Sequence, residues 1–571
     1  MSGLQLLLLT SVILATSAPD PRNIRYGRPI PDEGYCDQPY VVVLPDGTWL
    51  CVLTTGPGRE GQRGQHIVAT RSRDHGRTWS PLIDIEPSAG PEASWACPLL
   101  TPEGRVYVFY TYNGDNIRRL PGKNRPIRAD MLGWYCFRYS DDGGLSWSPR
   151  FRLPMRITAA DRANDWEGKV QLFWGIDKPK VDGSTVRFAF TKLRRYMLEG
   201  GEGWLWSSDN LLTERDPRRI RWRMLPVGEY GIRAARFGSV QEEHNHVPLG
   251  DGRLYLVYRT ALGFPCQSYS DDGGRHWSDP EPMTYAPGGR VLKNPRACPK
   301  LWKCANGRYL FWFHNHGGRD FRGRNPAWLA AGELRDGRMY WSQPEIVLYD
   351  PDPEVRISYP DLIEQDGRFW ITETQKSVAR VHELEPGLLE ALWSQGRWRQ
   401  VSRRGLELET GPGEVQLPVR LDLSQRSGLT IELWVRIASF GRPVVLVDGR
   451  DEEGRGIRLV TTRRRSVLLS LSDGGQTVRW ESDPGLLRDG QRHHVVAIVD
   501  SGPRIVLFVV DGQLCDGGTA RQYGWLRYGS PLGDVTGRGR FRVASQVRLL
   551  RLYSRYLRVS EAVAHFHAAG P

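Results

Sequence analysis

Apolar residues in this chain come in short runs cut by turn residues, and almost nowhere at helical spacing. Six times an acidic-Gly or Asn-Gly pair stands directly ahead of a run rich in β-branched and aromatic residues. The runs are "DGTWLCVL" from Asp46, "EGRVYVFY" from Glu103, "DGSTVRFAF" from Asp182, "DGRLYLVY" from Asp251, "NGRYLFWF" from Asn306 and "DGRFWITE" from Asp366. Such pairs tolerate the left-handed backbone of a tight turn, and the runs after them suit a half-buried pleat, so each predicts a β-hairpin. Six hairpin units at 55–80-residue spacing predict an all-β fold, a six-bladed β-propeller over residues 19–404. A short amphipathic stretch, "ELEPGLLEALW" (383–393), is the exception within it.

Beyond Arg404 the pattern changes to longer alternating runs. "LTIELWVRI", "DGQRHHVVAIVD" and "RIVLFVVDGQLCDGG" predict strands, and "VRLLRLYSRYLRVSEAVAHF" a last strand and a closing helix. Residues 405–571 are therefore expected to form a β-sandwich jelly roll. The hairpin count is complete by about residue 375, so a chain ending near Arg404 is expected to fold without the tail.

A second repeat crosses the first. The pattern S-x-D-x-G-x-x-W starts at Ser72, Ser140 and Ser270. The gap between the last two is 130 residues, about twice the 68 that separate the first two. A decayed copy is expected near 205, with Ser207 and Asp209 in its places, and a fifth at "GELRDGRMYW", with Asp336, Gly337 and Trp341. A fixed period with turn residues and a tryptophan marks a structural unit.

This pattern resembles the Asp box of sialidases (neuraminidases) and related propellers. The resemblance implies a structural role for it: Ser and Asp tie a turn, and Trp packs between blades. The tail resembles laminin-G/pentraxin-like (concanavalin-type) domains, which bind glycans or pack on a catalytic partner. His493 and His494 match that family's "WHHVA" strand and are expected to be structural.

Site residues follow from the same resemblance. "VRISYPDLIEQDGRFWITETQ" (355–375) is similar to the sialidase segment carrying a tyrosine nucleophile and, one hairpin later, a glutamate; Tyr359 and Glu373 take those places. A neutral phenol suits a sugar whose anomeric carbon bears a carboxylate, because a carboxylate nucleophile would meet like charge. A phenol of pKa near 10 needs a base. Glu243 in "VQEEHNHVPLGDGRLYLVYR" stands in the family's place for it, and the same hairpin returns to Arg259, which matches a carboxylate-binding arginine. Arg324 matches a second; the planar guanidinium binds a carboxylate in bidentate fashion. Glu243 and Arg259 also suit an internal ion pair.

The chain departs from the family at two points. Asp37 occupies the place of the first arginine, where it would repel a substrate carboxylate. The stretch 54–72, where the acid/base aspartate is expected, holds no Asp. Glu60, His66 or Asp37 itself would have to stand in. Two histidine pairs, in "EEHNH" with His244 and in "FHNHGG" with His314, each lie on one face of a strand. They could hold zinc, but substrate hydrogen bonding or local structure is the preferred reading. Neither a metal nor a cofactor is expected. Asp115, Asp177 and Lys178 follow inner-strand-like runs and are rim candidates without a role.

Net charge is +13, from 78 Lys and Arg against 65 Asp and Glu. It favours acidic partners, expected to be sialylated or other acidic glycans. No basic run is long enough to point to nucleic acid. Residues 1–18 hold an apolar run from Leu4 to Ala15 followed by small residues. That is too short to span a bilayer and suits a secretory signal, so a secreted or periplasmic protein that does not span the membrane is expected. Nothing in the sequence speaks to an oligomeric state. Eight cysteines leave disulfides and buried free thiols equally open. The expected activity is that of an exo-acting retaining glycosidase on sialic acid or a related acidic sugar. The alternatives are a glycan-binding or pseudo-enzymatic propeller, and a propeller hydrolase or lyase on another acidic polysaccharide.

Overall fold

The computed structural model describes residues 19–123 and 126–568; the expected signal segment lies outside them. Six antiparallel sheets follow one another, each opening on one of the six hairpins. Blade 1 runs from Tyr35 to Asp84 and blade 2 from Ala93 to Arg152. Blade 3 spans Phe173 to Leu225, blade 4 Gln241 to Pro282 and blade 5 Lys300 to Leu348. Blade 6 takes three strands from Leu362–Glu383 and its fourth from Arg28–Ile30, close to the other end of the chain. Lacing both ends of a ring into one sheet closes it and removes the free edges an open sheet would present.

The S-x-D turns are built alike. Ser72, Ser140 and Ser270 each donate to the aspartate two residues on, at 2.8, 2.7 and 3.0 Å. Each hydroxyl also accepts from the N–H of Gly76, Gly144 or Gly274. The glycines allow close approach to the preceding blade: a Cβ on Gly144 would lie 2.5 Å from Leu50 of blade 1. In blade 3 the turn belongs to Ser208 and Asn210, 3.3 Å apart, one residue along from the expected Ser207 and Asp209. Ser208 faces Val186 as Ser140 faces Val106, and this register fixes the frame. The fifth unit is a plain two-residue hairpin at Asp336-Gly337. It lacks the serine that would tie the longer turn.

Residues beyond Leu406 form two packed sheets, one of seven strands and one of six, enclosing an aliphatic core. This β-sandwich is not independent of the propeller. The outer face of its seven-stranded sheet (Val496, Ile498, Leu507, Val509) and its closing helix Val559–His567 share one buried cluster with blades 4 and 5 (Val247, Tyr255, Phe311, Trp328). Arg22 pairs with Asp500 at 2.6 Å, and Glu345 accepts from the first N–H groups of the helix. A chain ending at Arg404 would lay these apolar surfaces bare, contrary to the separability expected from the hairpin count. His494 bonds Glu432 at 3.1 Å and His493 bonds Asp511 at 2.7 Å, both within the sandwich. All eight cysteines are free and buried, so they pack as small apolar side chains.

Candidate functional site

The inner strands converge on a cavity of ≈ 240 Å³ at the propeller axis. Its residues reach it by a shared device. In blades 1, 2 and 4 the inner strand slips register, at Asp37/Tyr40, Ser94/Cys97 and Glu242/Asn245. The residue at the slip is left-handed: Gln38 (φ 48°), Trp95 (64°) and Glu243 (57°). Tyr359 (48°) does the same just ahead of the first strand of blade 6. Side chains this large rarely take positive φ, and such conformations collect at functional sites. A bulge re-aims one side chain away from the alternation of its strand. Gln38, Trp95 and Glu243 each stand eight residues ahead of the acidic residue of their turn, and Tyr359 seven.

Tyr359 and Glu243 meet in this cavity. The phenol donates to Glu243 Oε1 at 2.7 Å. Burial and the Glu243 charge push the Tyr359 hydroxyl up to about 12, although Lys376, Arg259 and Arg324 act the other way, so it is neutral at ordinary pH. Arg259 holds Glu243 in place, with Nη1 2.6 Å from Glu243 Oε1 and Nη2 2.8 Å from Glu242. Arg324 is buried and, among the described residues, has no carboxylate: it donates to Ser358 Oγ (3.2 Å) and the Arg296 carbonyl (2.8 Å), and no described residue partners its Nε. Burial and neighbouring Arg356 lower its pKa. Uncompensated buried charge is costly, so this corner is made for an anion.

Arg356 lines the same cavity, and its Nε is likewise buried and unpartnered among the described residues. The sequence reading missed it, although it stands three residues ahead of Tyr359. Lys376 and Arg128 were missed as well. The Lys376 ammonium lies 4.4 Å from the centre of the Tyr359 ring and bonds both Asp37 and Glu60, the latter at 3.1 Å.

That contact corrects the reading of Asp37. Its side chain is wholly buried behind Lys376 and also accepts from the Tyr35 hydroxyl at 3.1 Å. It neither lines the cavity nor presents a bare charge to it. Glu60 does line the cavity. Burial would raise its carboxyl, but Lys376 and Arg128 hold it down to about 2.

Four further candidates lie elsewhere. Glu373 is buried against His382 at 3.3 Å, because its strand turns it from the axis. His66 bonds the Gly64 carbonyl within blade 1. His244 bonds Thr191 at 2.9 Å and packs on Tyr258, and burial pushes it down to about 3. His314 bonds the Pro326 carbonyl at 3.1 Å. These four are buried, and none of them lines the cavity. Among the described residues no group of three or more His, Cys, Asp or Glu is placed to hold a metal ion. Of the rim candidates, Asp177 bonds His246 at 2.7 Å and Lys178 bonds Asp361 at 2.7 Å, and neither lines the cavity. Asp115 accepts from Trp134 at 3.1 Å.

No curated protein matches the chain in sequence. Among solved structures, the chain is similar to Trypanosoma rangeli sialidase in complex with the inhibitor DANA, at 13% identity and TM-score 0.44 over 94% of each chain. It is similar to a point mutant of NanB sialidase from Streptococcus pneumoniae at 13% identity and TM-score 0.45, over 65% of this chain and 72% of that one. A Hadza microbial sialidase, Hz136, gives 18% identity and TM-score 0.44 over 62% and 66%. Residues 201–371 match the BNR repeat-like domain, and residues 409–562 match the concanavalin A-like lectin/glucanases superfamily. The chain thus joins a BNR repeat-like propeller to a concanavalin A-like sandwich.

Proposed function

We propose that this protein is an exo-acting retaining glycosidase that removes a terminal sialic acid or related acidic sugar, with Tyr359 as nucleophile and Glu243 as its base. The observation that carries this is the 2.7 Å hydrogen bond from Tyr359 to Glu243 inside a cavity rich in guanidinium groups. In the first step Glu243 takes the phenolic proton while the Tyr359 oxygen bonds to the anomeric carbon. The glycosidic C–O bond breaks, and the departing oxygen takes a proton from an acid. Of the carboxyl groups lining the cavity, Glu243 is engaged as the base, which leaves Glu60 for that role. Lys376 and Arg128 hold Glu60 ionised in the free protein, so it takes up its proton with the substrate, the carboxylate of which draws on the same cations. Water then attacks the anomeric carbon, giving its proton to Glu60, and the Tyr359 oxygen leaves and recovers its proton from Glu243.

The substrate carboxylate goes to Arg259, Arg324 and Arg356. Charge-assisted bonds of this kind are worth about 1.5–3 kcal/mol each. Lys376 compensates for the aspartate that replaces the first arginine of the sialidase pattern. Export is proposed on the apolar run Leu4–Ala15 alone, and sequencing the N-terminus of the mature protein tests it.

The deciding experiment uses fluorogenic glycosides of several nonulosonic acids and a 2,3-difluorinated analogue of whichever sugar is cleaved. Wild-type protein is expected to cleave at least one and to be labelled on Tyr359, and Tyr359→Phe to fold and lose turnover. Labelling elsewhere, or full turnover in Tyr359→Phe, overturns the assignment. Binding without cleavage across the panel would favour a glycan-binding propeller.

A further inference from the structure

We propose that the cleft where the propeller meets the sandwich is a second carbohydrate subsite, which holds the acidic sugars adjoining the one in the central cavity. The inference rests on the glycosidase reading above and makes the natural substrate a carboxylated oligosaccharide.

The cleft has a volume of ≈ 760 Å³, about three times that of the central cavity. Phe321, Arg324 and Arg356 line both, so the two spaces adjoin. Both domains build its walls. From the sandwich come Trp480 and Tyr523, each held in place. The Trp480 indole donates to the Gly524 carbonyl at 3.2 Å, and the Tyr523 ring stacks on His316 of blade 5, centre to centre 4.6 Å. Fixed aromatic rings at a concave domain junction suit the apolar faces of sugar rings, with a few polar groups setting orientation.

The polar groups are cationic. Five arginines line the cleft against two carboxylates, Asp320 and Glu354. Asp320 is already engaged by Arg322 at 2.6 Å. Arg527 donates to the carbonyl oxygens of Pro503 (3.0 Å), Asp350 (3.2 Å) and the Asn325 side chain (3.0 Å), and its Nη1 is buried without a partner among the described residues. Exposed Arg319 stands on the loop that carries Phe321. A ligand crossing from the central cavity would pass Arg324 and Arg356, which line both spaces, before it met Arg319, Arg527, Trp480 and Tyr523, which line the cleft alone. A chain with a carboxylate on successive sugars matches that order of charges.

The test measures binding apart from turnover. Calorimetry with Tyr359→Phe would use a sialic acid trimer, a hyaluronan hexasaccharide and a galacturonate trimer, with maltotriose as neutral control. At least one acid is expected to bind and maltotriose not to. Adding Trp480→Ala should weaken that acid about tenfold, and adding Arg319→Ala, at an exposed position the fold does not need, about threefold. In the otherwise wild-type protein both changes should lower kcat/KM on the oligosaccharide and leave a fluorogenic monosaccharide within about twofold. Trp480- and Arg319-dependent binding without any cleavage would uphold the cleft and remove the glycosidase reading. Cleavage of the oligosaccharide that neither change affects, or no acid binding in any variant, overturns the cleft.

Discussion

The two ends of each inner hairpin can be set side by side. At the turn end the six blades are nearly alike: an acidic or asparagine residue, then a glycine at positive φ, from Gly47 (81°) to Gly367 (71°). At the axial end the conformation recurs in blades 1, 2, 4 and 6 but the residue does not: it is Gln38, Trp95, Glu243 or Tyr359. The turn serves its own blade, so the same solution can be written each time. The axial residues face one another across a single cavity, and chemistry there needs unlike groups. Repetition in this chain therefore marks scaffold, and a position that keeps its geometry while changing its residue marks the site.

The largest expected effect concerns what the scaffold includes. Ending the chain at Arg404 exposes the cluster shared by blades 4 and 5, the seven-stranded sheet and the last helix. Large exposed apolar surfaces promote aggregation, so the truncated protein should be insoluble. A soluble, monodisperse truncation with a cooperative melt would show that the propeller is complete by itself.

Next comes the axial end. Glu243→Gln keeps shape but cannot take the Tyr359 proton, and should cut kcat about 10²- to 10⁴-fold with little change in melting temperature. Glu60→Gln sharpens the contrast: kcat/KM for poor leaving groups should fall while that for activated aryl glycosides is spared. Equal loss on both would remove Glu60 from the acid role.

At the turn end, stability should change and turnover should not. Trp277 is half-buried and donates to the Gly274 carbonyl at 3.1 Å, so Trp277→Ala should cost about 1–2 kcal/mol, less than the 3–5 of a fully buried tryptophan. Gly144→Ala places a methyl at φ 89° against Leu50 and should cost a similar amount. Lost turnover with unchanged melting in either variant would break the division between the two ends.

A pH dependence in the packing between blades touches neither end of the hairpin. His244 is pushed down to about 3 by burial, so between that value and its ordinary 6.5 the unfolded chain binds a proton that the folded one refuses. Its contribution is complete above pH 6.5 and is lost as pH falls toward 3, at about 1.4 kcal/mol per pH unit. Chemical denaturation of wild type and His244→Gln at pH 7 and pH 5 measures it. The variant should show the shallower loss on acidification, and parallel losses would show that His244 is not the cause.

Local signals carried much of the fold. Asp-Gly turns, strand-like runs and S-x-D ties act within a few residues, so the six hairpins stood where they were expected and so did Ser72, Ser140 and Ser270. Where the local signal decayed, at Ser208 and Asn210, only strand register fixed the frame. The helix over Pro386–Trp393 was likewise visible as a local period.

By itself the sequence determined the six hairpins, the two β domains and, through its likeness to the sialidase pattern, the pairing of Tyr359, Glu243 and Arg259. Tertiary structure alone decided what surrounds them. Tyr359 and Glu243 are 116 residues apart, and Lys376 and Asp37 are 339 apart. No local rule links such positions. Which carboxylate is covered by an ammonium, which histidines are sealed between blades, and which arginines are left without an anion depend on how six sheets close around one axis. The burial that follows, not the residue type, divides structural charge from charge available to a ligand.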